Sequence, residues 1–200
     1  MKQILFILFI AFCFASCNDW LDIRPDTEQK DYDQFSTVNG FYDALVGCYM
    51  SMANADAYGD RLSISNIEAL TNIWYMPEES AQVSSLRLGD YELQHRNYTG
   101  DNARDAIQAM YSALFNVIAQ ANMVIKYADE KEDVFADKTA LAMVKGEAYA
   151  IRAYCQFDVL RLFGQMPNGG TQQVQLPYSY TTSIREMPAY YGFGDYVVVP

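Results

Sequence analysis

Histidine is almost missing from this chain, which carries one, His95. With no second histidine and no His/Cys pair at ligand spacing, neither a zinc site nor a Ser-His-Asp triad has its base. Cysteine is scarce too, at four residues, so a disulfide framework is excluded. Cys48 and Cys155 lie more than a hundred residues apart, as a free buried pair or a single bridge, and free thiols are the preferred reading. Basic residues are outnumbered, 14 against 25 acidic, for a net charge of −11 with no basic run. Such a chain repels polyanions, which argues against nucleic acid and anionic lipid as partners. Glycine-rich phosphate loops are also lacking. Tyr191-Gly192-Phe193-Gly194 has no third glycine, preceding strand or following helix, and reads as a turn. Nor does anything in the sequence place two carboxylates across a sugar, as a glycosidase requires. These absences give a non-enzyme with no cofactor and no metal.

What is present begins at the amino terminus. After Lys2, an uncharged apolar run from Ile4 to Phe14 closes on Ala15-Ser16-Cys17. The run falls short of the roughly 20 residues a spanning helix needs, and the small residues suit a signal peptidase. Residues 1–16 therefore read as an export signal, and Cys17 as the thiol of a bacterial lipoprotein box, to be lipidated and then amino-acylated. Cys13 is a poorer site, because bulky Phe12 precedes it. The competing reading is an ordinary signal peptide cut without lipid. Residues 17–36 follow as a polar, acidic tether containing Pro25.

Half the residues are apolar, enough for a packed domain over 37–200. Phe41, Leu45, Cys48, Tyr49 and Met52 recur at three and four, predicting a helix over 37–52 capped by Ser36 or Thr37. Residues 54–100 read mostly as loop, with a helix at Ile64 to Trp74. Asp101 opens a long amphipathic helix of about 26 residues, whose stripe holds Ile107, Met110, Leu114, Val117 or Ile118, Ala121 and Ile125. Asp137 caps a second, with Leu141, Val144, Ala148, Ile151, Cys155, Val159 and Leu162 on its core stripe. Gly164 is read as its left-handed cap and Pro167 as its stop. Gly146 and Ala153 read as small sites that admit a neighbouring helix. The short acidic link from Asp129 to Ala136 forces the two helices antiparallel. The class is mainly α, with tetratricopeptide-like helical hairpins and long irregular loops, and one hairpin implies partners to cover its apolar faces. Beyond Gln165 the chain reads as irregular, with a new element starting at Phe193 to Val197.

Sugar recognition needs flat aromatic faces beside planar polar groups. Asn72, Trp74 and Tyr75 in the irregular stretch offer both, and Arg87, His95, Arg96 and Asn97 follow closely. Trp74 leads this set, although the same side chain suits a core equally well. Tyr178, Tyr180, Tyr190 and Tyr191 form a weaker cluster, equally explicable as packing.

Several runs together resemble one family. Cys17-Asn18-Asp19-Trp20-Leu21-Asp22-Ile23-Arg24-Pro25, then Gly40-Phe41 with Gly47-Cys48-Tyr49, and then Tyr111 to Asn122 are similar to SusD/RagB lipoproteins. Most specific is Gly146-Glu147-Ala148-Tyr149-Ala150-Ile151-Arg152-Ala153-Tyr154, continuing through Phe157 to Gly164 and Pro167. The resemblance covers residues 17 to about 167 and implies the amino-terminal part of a longer, SusD-like fold. It also implies an outer-membrane, surface-exposed lipoprotein that captures oligosaccharides or other nutrients for a SusC-like TonB-dependent transporter. The other function considered is a helical interaction module that docks on the transporter without binding a ligand. In the family motif, Glu147 and Arg152 read as fold-holding polar residues, and Asn116 and Asn122 as bridges to backbone.

Overall fold

The computed structural model describes residues 31–164, 174–182 and 186–197. The export signal, Cys17, most of the tether and Pro167 lie outside them. The chain divides into two units, Met1–Gln34 and Phe35–Pro200. In the first, Asp31–Gln34 forms one helical turn, α1.

The second unit is built on two long helices. The longer, α6 (Asp101–Glu130), buries Met110, Leu114, Val117, Ala121, Val124 and Ala128, a stripe at three-and-four spacing. At about 1.5 Å per residue its 30 residues span roughly 45 Å. A 3₁₀ turn (Glu132–Val134) reverses the chain into α7 (Lys138–Phe163). Asp137 caps α7, its Oδ1 accepting from Thr139 N at 2.8 Å. The two pack along their length as the antiparallel hairpin the short link demands. Lys145 of α7 pairs with Asp129 and reaches Glu132 at 3.7 Å, clamping the reversal. Across the hairpin lies α2 (Val38–Met52), capped by Thr37. Its Phe41 sits between Phe35 and Phe135, with ring centroids 4.9 and 4.8 Å away.

The segment read as loop is largely helical. A π turn (Ala55–Gly59, broken at Ala57) leads to α3 (Ser65–Thr71), the single turn α4 (Glu78–Ala81) and α5 (Ser85–Gln94). These short helices form a second layer on the first half of α6, around Ala69, Leu93, Ala103 and Ala106. Near the carboxyl end, β1 (Leu176–Tyr178) pairs antiparallel with β2 (Ala189–Tyr191), Pro177 opposite Tyr190, before the single turn α8 (Phe193–Tyr196).

The structure corrects three finer readings and bears out the free thiols. Gly164 is extended (φ −81°, ψ 169°) and not left-handed, its N donating to Leu160 O at 2.9 Å. Tyr49 faces solvent and donates to Glu147 Oε1 at 2.6 Å, while Met52 and Leu162 are half-buried. Gly146 has open space around its Cβ position and Ala153 is exposed, so neither admits a neighbouring described helix. Cys48 and Cys155 are free and buried, and desolvation pushes both thiols up to about 11. No described helix is long and apolar enough to cross a membrane.

Candidate functional site

Three of the residue types expected at a sugar site fall on one short connection. After α3 the chain turns at Asn72, whose left-handed backbone (φ 54°) lets Asn72 N and Ile73 N donate to Ala69 O and Glu68 O, both at 3.2 Å. That pattern is a Schellman stop, which asparagine tolerates better than most side chains. The chain then bends at Ile73 and Trp74 and continues without regular structure to Pro77, held by Gln94. Met76 N donates to Gln94 Oε1 at 3.1 Å, and Gln94 Nε2 donates to Trp74 O. Gln94 is itself buried, so this clamp is rigid.

The clamp holds the backbone of this connection at the carboxyl end of α5, with Trp74 half-buried and Tyr75 74% exposed. There the Tyr91 ring packs at a tilt against His95 with centroids 4.1 Å apart, and His95 Nδ1 lies 2.8 Å from Tyr91 O. Desolvation holds the Tyr91 hydroxyl above its ordinary pKa, with the charges of Glu78 and Tyr75 adding to it. Arg96 follows in a second Schellman stop (φ 57°), its N donating to Leu93 O at 3.0 Å and Asn97 N to Glu92 O at 2.8 Å. Of the expected residues, Trp74 and Tyr75 thus adjoin the end of α5, with Asn72 and Arg96 at the two helix stops beside them. Arg87 stands apart, exposed near the start of α5, where its charge acts on Asp90. Tyr91 was missed by the sequence reading because it lies on a helix that reading left as loop. Its i, i+4 spacing to His95 is the signal that would have found it.

On its other side, α5 borders a cavity of about 320 Å³. Gly89 makes the close approach possible, since a Cβ there would meet Asn102 O of α6 at 3.1 Å. Gly59 is equally constrained, because a Cβ would run into the carbonyl oxygens of Ala53 and Asn54. Its tight turn aims Asp60 and Arg61 at the cavity. Its lining includes Asp56, Asp60, Asp90 and Asp105, and Asp90 Oδ1 accepts from the buried Asn66 Nδ2 at 2.7 Å. None of the residues expected at a sugar site lines this space, and the sequence reading did not anticipate it. Among the described residues no three His, Cys, Asp or Glu side chains converge to hold a metal ion.

The tyrosines near the carboxyl end divide by burial. Tyr178 packs edge-on against Tyr196, with centroids 5.3 Å apart, and against Tyr191, while Tyr180 and Tyr190 are exposed. Asn122 and Arg152 serve as bridges. Arg152 Nη1 donates to Asn122 Oδ1 at 3.1 Å, and Asn122 Nδ2 to Ser179 O at 3.1 Å.

A family described as SusD-like, starch-binding and associating with the outer membrane matches residues 19–187. Among curated proteins, the SusD-like protein P25 of Formosa agariphila is 22% identical over 167 residues, covering 84% of this chain and 31% of the relative. The SusD-like protein P2 of the same organism is 22% identical over 165 residues, covering 82% of this chain and 30% of the relative. This chain spans about a third of the length of the curated relatives it matches. No solved structure matches it at a significant level.

Proposed function

Because the chain belongs to the SusD-like family, we propose that it is a non-catalytic, outer-membrane lipoprotein, anchored through Cys17, that captures glycans or similar nutrients for a SusC-like TonB-dependent transporter. The observation that carries the binding role is the gathering of aromatic residues at the end of α5, where Gln94 clamps the backbone of the connection bearing Trp74 and Tyr75 beside the Tyr91–His95 ring pair. Flat rings receive the apolar C–H face of a pyranose, while Asn72 and Arg96 at the neighbouring stops supply planar donors for its hydroxyls. A solvent-facing Tyr75 gives little to the fold, so its ring is open to a ligand and can be removed without cost to stability. Isothermal titration calorimetry against a panel of soluble starch and other oligosaccharides tests the reading. Tyr75→Ala should weaken binding by about 10-fold, or ~1.4 kcal/mol, without moving the melting temperature. Wild-type chain that binds no glycan in the panel would remove the proposal.

A second reading, transporter docking without a ligand, is favoured by one observation. The outward face of α7 repeats Met143, Tyr154 and Phe157 with small residues between them, and beside it α2 exposes Tyr42, Val46 and Met50. An apolar helix face left in solvent marks a contact surface. Co-purification with a barrel transporter that Phe157→Glu abolishes, with no glycan affinity in either form, would select this reading.

A further inference from the structure

The connection that carries Trp74 and Tyr75 is bordered by more negative charge than positive. Glu78 and Glu79 open α4 directly after Pro77, and both are exposed. Glu68 of α3 stands one turn before Asn72, half-buried. Arg96, exposed at the stop that ends α5, is the cation beside them, while Arg87 acts on Asp90 instead. None of these three carboxylates, nor the Arg96 guanidinium, makes an ion pair or a side-chain hydrogen bond among the described residues. Bonded geometry keeps them close to the rings. Consecutive Cα atoms are about 3.8 Å apart, so the Cα of Glu78 lies within about 11 Å of that of Tyr75. Met76 N, between them, is bonded to Gln94 Oε1 at 3.1 Å, which ties this stretch to the helix that bears Tyr91. Ser80 N and Ala81 N then donate to Pro77 O at 3.0 and 3.2 Å, and the buried Ala81 seats α4 on the fold. The charge is felt at the rings, since desolvation first and then Glu78 hold the Tyr91 hydroxyl above its ordinary pKa.

Charges at this range act on whatever sugar stacks there. The screening length at 0.1 M salt is about 10 Å, so a ligand on these rings feels the rim and little of the chain's more distant charge. A uronate or sulfated unit carries its anion into that field, where three carboxylates oppose one guanidinium and the balance is repulsive. Arg96 offers such an anion a single forked contact, which the rim outweighs. A neutral sugar meets no such penalty, and the same carboxylates accept from its hydroxyls. Specificity of this kind comes from repelling the wrong partner rather than from gripping the right one.

We propose that the acidic rim of Glu68, Glu78 and Glu79 makes the aromatic surface selective for uncharged glycans, excluding those with carboxylate or sulfate groups, a selectivity that rests on the capture role proposed above. Isothermal titration calorimetry of the intact chain at low salt compares malto-, cello- and galacto-oligosaccharides with the same oligosaccharides oxidised at C6, where each primary hydroxyl becomes a carboxylate. The neutral form of the glycan that binds should bind at least about 10-fold more tightly than its oxidised form. Added sodium chloride should narrow that gap, because screening relieves repulsion. Glu78→Gln combined with Glu79→Gln, both at exposed positions, should narrow it about 3-fold or more at low salt. Glu130→Gln combined with Asp133→Asn removes the same charge at the far end of α6, where Glu130 lies roughly 36 Å along the helix from Ala106, and should leave the gap as it is. Equal affinity for the two forms, or tighter binding of the oxidised form that fades as salt rises, would overturn the selectivity and leave the capture role standing. So would a gap indifferent to salt and to the Glu78 and Glu79 substitutions, or one that the distant pair changes as much. Failure of every neutral oligosaccharide to bind would remove the capture role and the selectivity together.

Discussion

Phe41→Ala is expected to cost about 3–5 kcal/mol of folding stability, the range for emptying a phenylalanine site in a packed core. Phe41 is 0% exposed and joins three parts of the molecule. It lies on α2, contacts Phe35 in the segment before that helix, and contacts Phe135 in the turn between α6 and α7. Phe35 in turn stacks on Tyr127 of α6, with centroids 4.5 Å apart. Removing the central ring therefore takes contacts from both neighbours at once. The two ring neighbours are rigid and cannot swing in to refill the space. Against a total stability of roughly 5–15 kcal/mol the loss is severe. Chemical denaturation followed by circular dichroism should show the midpoint falling sharply at unchanged slope. Tyr42→Ala, one residue on and facing solvent, should change stability by no more than about 0.5 kcal/mol. A loss below about 1 kcal/mol for Phe41→Ala would mean that this aromatic cluster does not hold α2 to the hairpin.

The long hairpin was legible because its two helices repeat their apolar residues for seven turns or more, and such a signal survives occasional polar intrusions. The short helices were not, for reasons that differ from one to the next. In α5 the sequence Ser85-Leu86-Arg87-Leu88-Gly89-Asp90 offers a glycine where a helix former is expected. Gly89 is there because the α6 backbone passes too near for a side chain, a tertiary demand that outweighs its helix propensity of about 1 kcal/mol. The capping signal was present, since Ser84 Oγ accepts from Arg87 N at 3.3 Å, but no apolar stripe followed to confirm it. Asn72 and Arg96 attracted attention as planar polar groups, and both prove to occupy left-handed helix stops. Their backbone role explains their position without reference to any ligand, which leaves Trp74, Tyr75 and the unforeseen Tyr91 as the surface's distinctive chemistry. The cavity was beyond reach of the sequence. Asp56, Asp60, Asp90 and Asp105 sit on or beside three separate elements, and among 25 acidic residues nothing in their spacing marks these four. Only packing brings them together, and only packing leaves Asn66 Oδ1 unpaired.

The carboxyl-terminal ladder depends on a buried polar pivot, and its removal should release that region while sparing the hairpin. Gln156 of α7 is 2% exposed. Its Nε2 donates to Ser179 O at 3.2 Å, just past β1, and its Oε1 accepts from the Tyr196 hydroxyl of α8. Burial holds that phenol above its ordinary pKa, so it stays protonated and available as a donor. The side chain of Gln156 thus ties β1 and α8 to the helical layer through one amide. Gln156→Leu conserves most of the volume but strands the Tyr196 hydroxyl with a long 3.4 Å contact to Pro177 O. Leaving one or two buried groups unsatisfied costs about 1–3 kcal/mol each, and that cost falls on the ladder. Hydrogen exchange should therefore show the amides of Leu176, Tyr178 and Ala189–Tyr191 opening at least about 10-fold more often, while those in the middle of α6 and α7 keep their protection. Adding Tyr196→Phe removes the stranded donor and should restore part of the loss, because deleting both partners of a buried hydrogen bond is less harmful than deleting one. Equal loss of protection in the hairpin and the ladder would show instead that Gln156 supports the whole fold, with α7, β1 and α8 opening as a single cooperative unit.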